Sequence, residues 1–234
     1  MKFWTAHRLA LIVLATGCRN VVDIPPSPAR IPVIEGLLIA DSTTTTFRLI
    51  WADTLGRLGD EREPIAPADV FLTLSDQGGT PVGLTARRDT VALFQVALKI
   101  RPGQRYRLSG TIAGRPVSAT TVIPGPFTID APADRTTVRF AVPVPFRWRA
   151  SGATTYASAQ AIFGQGGYSH TADTVGQLNV RPEGVGEPST LIVWAMNRDV
   201  QGYLYNLQVP QSNIVGATGM LGGATVTRKA ISWQ

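Results

Sequence analysis

The side chains that most often carry catalysis are scarce in this chain of 234 residues. Histidine occurs twice, as His7 and His170, and cysteine occurs once. A catalytic triad holds a histidine between a nucleophile and a carboxylate, and the nearest nucleophile in sequence is Ser169. Neighbouring residues of a strand point to opposite faces of the sheet, so Ser169 and His170 do not make a nucleophile and its base. We expect no catalytic residues, and the protein is predicted not to be an enzyme.

Metal and phosphate sites are not predicted either. A single cysteine cannot supply a thiolate cage, and His170 alone cannot supply an imidazole set for a transition metal. Asp60, Glu61 and Glu63 crowd together, but their spacing differs from that of a twelve-residue calcium loop, and a solvated surface loop is predicted instead. The glycine-rich residues 164–167 lack the Lys-Ser/Thr pair of a phosphate-binding loop and indicate a turn. We therefore expect no metal and no cofactor.

The N-terminus has the pattern of an export signal. Lys2 and Arg8 precede a run of seven apolar residues, 9–15. A membrane-spanning helix needs about 20 apolar residues, whereas the hydrophobic region of a secretory signal needs only about 7–15. Residues 1–17 are therefore predicted to be a signal peptide that is removed from the mature protein.

The sequence Leu14-Ala15-Thr16-Gly17-Cys18 resembles the bacterial lipobox. The resemblance implies that the chain is cut before Cys18 and that this cysteine is acylated on its thiol and on its new N-terminus, with fatty acids such as palmitate. Each buried methylene contributes about 0.8 kcal/mol, so several acyl chains would hold the protein on a bilayer. The alternative is an ordinary signal peptide followed by an incidental cysteine.

Arginine dominates the positive charge, with 19 arginines against 3 lysines and a net charge of +6. Eight arginines lie between residues 101 and 149, where only Asp130 and Asp134 oppose them. Two pairs share a strand face by the period-2 rule. The candidate basic surface consists of Arg105, Arg107, Arg147 and Arg149. Such a surface suits lipopolysaccharide phosphates or an acidic partner, and the alternative is ordinary solvated strand faces. Nucleic acid is not an expected partner of an exported protein.

The rest of the chain indicates an all-β protein. Hydrophobic residues make up 44% and charged residues 16%, which is too apolar for a disordered chain. Short β-branched and aromatic segments alternate with Gly, Pro and Asn. The clearest pair is a hairpin of residues 105–112 and 115–123 around Ala113-Gly114, and the last predicted strand is residues 203–209. We predict two tandem β-sandwich domains of immunoglobulin, fibronectin or transthyretin type.

The domain boundaries are predicted from proline. Residues 18–32 carry the lipidated cysteine and a Pro-rich tether, because proline disfavours packed elements. Residues 33–124 and 125–234 are predicted as the two sandwiches, divided at Pro124-Gly125-Pro126. The tryptophans of the mature chain (Trp51, Trp148, Trp194 and Trp233) lie in predicted strands, where packing in the core is expected. A carbohydrate platform would require exposed rings.

Several phrases together resemble a family of bacterial outer-membrane lipoproteins with a domain of unknown function, typically encoded beside TonB-dependent receptors in Bacteroidetes-like bacteria. The phrases lie in residues 32–36 (PVIEG), 68–76 (ADVFLTLSD), 103–108 (GQRYRL), 118–124 (SATTVIP) and 212–224 (SNIVGATGMLGGA). The resemblance covers nearly the whole chain. It implies an outer-membrane lipoprotein beside a transporter and supplies no catalytic residues.

These observations predict a non-enzymatic accessory or ligand-capturing subunit of an outer-membrane receptor. The expected partners are a membrane, through the lipid anchor, and the receptor protein. Arg19 follows Cys18 where an aspartate would signal retention in the inner membrane of enteric bacteria. This favours the outer membrane and leaves open which face of it the protein occupies. The alternative function is a surface adhesin or structural envelope module without a transport partner.

Overall fold

The computed structural model describes most of the predicted sandwich region. The described residues are 30–52, 63–88, 90, 92–139, 144–149, 156–163, 167–171, 175–178, 188–204 and 212–233. The predicted signal peptide, Cys18 and most of the tether lie outside these residues. The same holds for Asp60, Glu61 and residues 164–166, on which the predicted surface loop and turn fall.

Within the described residues the chain forms β-strands, one short α-helix and a 3₁₀ turn at Pro67–Asp69, so the all-β prediction is confirmed. The strands of the first half are β1 (Ile31–Ile39), β2 (Thr45–Ala52), β3 (Val70–Asp76), β4 (Val82–Gly83), β5 (Thr85–Ala86), β6 (Leu93–Val96), β7 (Arg105–Ile112) and β8 (Arg115–Val122). Those that follow are β9 (Thr128–Ala131), β10 (Thr136–Val138), β11 (Val144–Arg149), β12 (Tyr156–Phe163), β13 (Gly167–Thr171), β14 (Val175–Leu178), β15 (Pro188–Asn197), β16 (Ile214–Val215) and β17 (Thr218–Trp233). The helix is α1 (Arg198–Leu204).

The strands form three sheets. The largest has the order β13-β12-β15-β17-β1-β2-β6-β5, with β10 also paired to β17. A five-stranded sheet has the order β16-β8-β7-β3-β4, and a three-stranded sheet the order β14-β11-β9. Strand β1 begins two residues before the predicted start of the first sandwich. Pro32 is tolerated there because pairing of β1 with β17 starts only at Val33.

The core lies between the nine-stranded and the five-stranded sheet. Ile34 and Leu49 from the larger sheet belong to the same buried cluster as Leu74 and Leu108 from the smaller one. Along β7 buried and exposed residues alternate from Arg105 to Leu108, as expected for a sheet with one face on the core and one in solvent. This packing of two sheets is the sandwich that the sequence predicts.

The predicted hairpin of β7 and β8 is confirmed with its turn at Ala113-Gly114. Buried Tyr106 fixes the loop before β7, because its hydroxyl accepts the Arg101 N–H at 2.7 Å and donates to the Lys99 carbonyl at 3.3 Å. Burial raises the pKa of the Tyr106 hydroxyl, so it stays protonated and able to donate. The start of β7, and with it Arg105, is therefore held in place.

Strand β17 connects the first half of the chain to the second. It pairs in parallel with β1 through residues 218–224 and antiparallel with β15 through residues 224–232. The Thr225 hydroxyl donates to the Pro124 carbonyl at 2.5 Å, and the Thr227 hydroxyl to the Phe127 carbonyl at 3.1 Å. The predicted boundary segment is thus bonded along β17, and the division into two domains stays a prediction.

The predicted strand at residues 203–209 is wrong in its first two residues, which end helix α1. The helix begins after Asn197, whose side-chain oxygen accepts the Val200 N–H at 3.2 Å. This is the N-cap geometry that asparagine favours, and Asp199 in the first turn complements it. Residues 205–209 lie outside the described part of the chain. The apolar periodicity of so short a helix is too brief to be recognised in the sequence.

We predict that Gly110→Ala destabilises the protein by about 1–3 kcal/mol. Gly110 has φ +145°, and an added Cβ would overlap the Phe71 carbonyl oxygen of β3. The measurement is urea unfolding of the full-length chain in detergent. Gly83→Ala is the matched control, because a Cβ at Gly83 meets no atom within 4 Å. Equal stabilities of the two variants would contradict the prediction.

Candidate functional site

Arg105 and Arg107 project from the outer face of the five-stranded sheet. Both are exposed, and buried Tyr106 lies between them. Arg107 pairs across the sheet with Ser75 of β3 on one side and Thr120 of β8 on the other. Because neighbouring strands lie roughly 4.8 Å apart, these three residues form a row of a guanidinium between two hydroxyls. Strand alternation predicts this exposure of both arginines from the sequence.

A first cleft of about 380 Å³ opens above this row. Its floor is formed by Arg105, Arg107 and Thr120, and its end wall is the turn that follows β3. Asp76 lies at this turn, with its carboxylate against Gly79. The remaining lining residues are Ser75, Gln77, Gly78 and Tyr106. The first cleft is therefore lined by polar and apolar surface in about equal parts, with the cations along the floor and one carboxylate at the end.

A second cleft of about 260 Å³ lies where α1 approaches β8. Arg105 and Thr120 line it as well, so they form the wall shared by both clefts. Its far side is formed by Asn197, Arg198 and Asp199. We call the two clefts together the arginine groove, after Arg105, Arg107 and Arg198.

The three arginines of the groove form no ion pair in the part of the chain that the structure describes. By contrast, Arg30 pairs with Glu63 at 2.7 Å and Arg48 with Glu35 at 3.5 Å. Each of the three guanidinium groups presents a planar fork of N–H donors that suits an anion. The groove thus contains three arginines with free donors, together with the carboxylates of Asp76 and Asp199.

A buried polar network supports the wall of the second cleft. The Asn197 amide donates to Thr121 Oγ1 at 2.5 Å, and the Thr121 hydroxyl donates to Asp199 Oδ2 at 3.0 Å. Burial raises the pKa of the Asp199 carboxyl, while its hydrogen bonds with Thr121, Asn213 and Asn197 act in the opposite direction. Asp199 is therefore held in position by hydrogen bonds on the far side of the second cleft, directly after Arg198 in the chain.

Sequence reasoning missed the α1 side of the groove. Arg198 and Asp199 follow a predicted strand, and Thr120 was recognised only as part of the predicted hairpin. The signal that was present is Asn197 followed by an acidic residue two positions later, which is typical of a helix start. Helix α1 comes to lie beside β8 because of the way β17 pairs with other strands. No local pattern in the sequence encodes that pairing.

The second predicted arginine pair lies elsewhere. Arg147 and Arg149 are exposed on β11, in the three-stranded sheet, with Trp148 buried between them. Arg149 is held by Asp130 at 3.3 Å. The structure therefore does not join the four predicted arginines on one sheet, and the arginine groove contains only the first pair.

The tryptophans that the structure describes are not exposed platforms. Trp148 is 2% exposed, and Trp51 and Trp194 are half-buried against hydrophobic clusters. The side chain of Trp233 lies outside the described residues. An aromatic ring that does reach solvent is that of Phe71, which is 69% exposed on β3 but lines neither cleft. Core packing of Trp51, Trp148 and Trp194 agrees with the sequence prediction.

Ser169 and His170 are consecutive residues of β13. Among the residues with described positions, no three His, Cys, Asp or Glu side chains are grouped as metal ligands would be. A helix long and apolar enough to cross a membrane is also absent from this part of the chain.

The chain matches no protein-family model and no curated protein sequence. Among solved structures it is similar to fibronectin(III)-like modules of CbhA from Clostridium thermocellum, with 8% identity, coverage of 86% of this chain and 90% of that one, and a TM-score of 0.27. It is also similar to a two-domain fibronectin type III segment of chicken tenascin, with 14% identity, coverage of 87% and 99%, and a TM-score of 0.27. For three immunoglobulin domains of titin the identity is 10%, the coverage 88% and 66%, and the TM-score 0.24. These comparisons assign no family to the chain, and the lipoprotein family that its sequence resembles stays a prediction.

We predict that Asp199→Asn changes the pH dependence of stability. Because the pKa of the Asp199 carboxyl is raised above 3.8 in the folded protein, the folded state binds its proton more tightly than the unfolded state. Its contribution to stability is complete below pH 3.8 and is lost as the pH rises through the folded-state value. The wild type should therefore lose stability relative to Asp199→Asn between about pH 4 and neutrality. Urea unfolding of both chains across this range measures the difference, and parallel curves would refute it.

Proposed function

We propose that this protein is an exported, lipid-anchored binding subunit of the cell envelope that works beside an outer-membrane receptor of the TonB-dependent type. The observation that carries the proposal is the arginine groove, where three guanidinium groups form no ion pair among the described residues. A solvent-facing concave surface in which three arginines outnumber two carboxylates favours capture of an anionic ligand or partner.

The proposed anchor is the acylated Cys18, followed by the Pro-rich residues 19–29. The tether then leads into β1, whose first residues are secured by the ion pair of Arg30 with Glu63 and by donation from the Arg115 guanidinium to the Arg30 carbonyl at 2.7 Å. A covalent lipid at one end and a packed strand at the other would keep the sandwich attached to the bilayer, with the extended tether as a spacer that lifts it off the membrane surface. We place the protein at the outer membrane, on either of its faces.

We propose a binding role rather than catalysis. Ser169 and His170 are consecutive in a strand, and this arrangement does not form a nucleophile and its general base. In the groove itself Asp199 accepts hydrogen bonds from Thr121 and Asn197 through Oδ2. The groups that remain accessible in the groove are suited to holding an anion.

The test is a mild-detergent pull-down of the full-length protein from its own outer membrane. We expect a β-barrel protein in fixed ratio with the wild type and its loss or weakening with Cys18→Ala. The double variant Arg105→Glu/Arg107→Glu should also weaken the complex, about tenfold or more at low salt, because charge reversal replaces attraction by repulsion. Arg147→Glu/Arg149→Glu is the matched control and should copurify like the wild type.

Two outcomes would change the assignment. If the wild type partitions to the membrane without any barrel partner, the accessory role is refuted in favour of the adhesin or structural module. If the wild type fails to partition at all, Cys18 is not acylated and the proposed anchor is wrong.

A further inference from the structure

We infer that the arginine groove binds an acidic oligosaccharide, a ligand that carries hydroxyl groups at one end and carboxylate or phosphate groups along its length. This rests on the proposed function, since it names the class of ligand that the binding subunit would capture. The class of ligand follows from the hydrogen-bonding and charged groups that the groove presents.

The first step is the continuity of the two clefts. Arg105 and Thr120 line both of them, so the two clefts adjoin at these residues, between the β3 turn and α1. From Ser75 through Arg107 to Thr120 the groove crosses three neighbouring strands, and α1 lies beyond them. An elongated ligand fits this path, whereas a single phosphate would occupy only one of the two clefts.

The second step is the order of chemical groups along the groove. Asp76 lies at the β3 end and, as an ionised carboxylate, can only accept hydrogen bonds. No hydrogen bond to its side chain is formed within the described residues. Arg105, Arg107 and Arg198 offer only donors. A matching ligand therefore presents donors to Asp76 and anionic acceptors to the arginines, with Ser75 and Thr120 able to bond to either kind of group.

The third step excludes a peptide added as a strand. Strand β7, which carries Arg105 and Arg107, is paired on both sides, with β3 and with β8, whereas β8 is paired with β16 only at Ser118 and Ala119. At Arg105 and Arg107 the floor of the groove thus offers side chains rather than free backbone donors and acceptors, which strand addition requires. A sugar chain with hydroxyl and acidic groups uses the side chains that are present.

The experiment measures binding of size-defined oligogalacturonate to the full-length protein in detergent, by titration calorimetry at low and high salt. We expect binding that weakens with salt and falls about tenfold or more when the carboxylates of the ligand are methyl-esterified. Arg105→Gln should lose about tenfold in affinity, because Arg105 contacts both clefts, and Arg198→Gln a similar or smaller factor. Arg139→Gln, an exposed arginine outside the groove, is the matched control and should bind like the wild type.

Two further arms identify the source of the sugar. Vesicles with and without lipopolysaccharide test a glycolipid headgroup, and the free oligogalacturonate tests a soluble chain. Binding to either one that is lost in Arg105→Gln supports the inference and assigns the source. Equal binding of the methyl-esterified chain, equal binding of inorganic phosphate or of an acidic peptide, or full binding by Arg105→Gln would overturn it.

The inference and the proposed function can fail separately. A barrel partner that copurifies with a protein unable to bind acidic sugars would leave the receptor role intact and refute the ligand. Binding of acidic sugars without any barrel partner would do the reverse. Circular dichroism of Arg105→Gln confirms that a lost affinity does not reflect a lost fold.

Discussion

The fold depends on how the first part of β17 satisfies the backbone groups on the side away from β1. Pairing with β15 begins only at Ala224, so Leu221 and Gly223 have no strand neighbour there. Two asparagine side chains bond these backbone groups in place of a neighbouring strand. Asn213 accepts the Leu221 N–H at 2.9 Å and donates to its carbonyl at 2.8 Å, and Asn197 accepts the Gly223 N–H at 3.2 Å. Without them, buried backbone groups would remain unpaired, which costs about 1–3 kcal/mol for each group.

Asn197 also sets the position of the arginine groove. Asn197 accepts from Gly223 of β17, caps α1 at Val200 and donates to Thr121 and to the Val122 carbonyl of β8. Three elements distant in sequence therefore meet at one amide. Arg198 follows Asn197 directly, and Thr120 precedes Thr121. The groove thus has one wall from each of two elements that are held together by a buried hydrogen-bond network, and this network fixes the backbone positions from which Arg105 and Arg198 extend.

Elements whose conformation is set by neighbouring residues could be predicted from local patterns in the sequence. Elements whose conformation is set by pairing with distant residues could not. The β7–β8 hairpin could be predicted because both strands and their turn lie within 18 residues, and the alternation around Tyr106 gave the exposure of Arg105 and Arg107. The long strand β17 was not recognised, since its Gly-rich start has little β propensity by itself. It is a strand because β1 and β15 pair with it. Helix α1 was missed for a related reason, as its cap Asn197 also serves β17 and β8.

In the candidate site, too, the sequence predicts the local arrangement of the arginines but not their distant partners. The sequence allows four arginines to be paired by strand face, but charge alone does not say which pair is available. Asp130 neutralises Arg149 across the β11–β9 pairing, whereas Asp199, the carboxylate beside Arg198, is held by Thr121 and Asn197. Among the described residues neither Arg105 nor Arg198 forms an ion pair, so both guanidinium groups keep their N–H donors for a ligand.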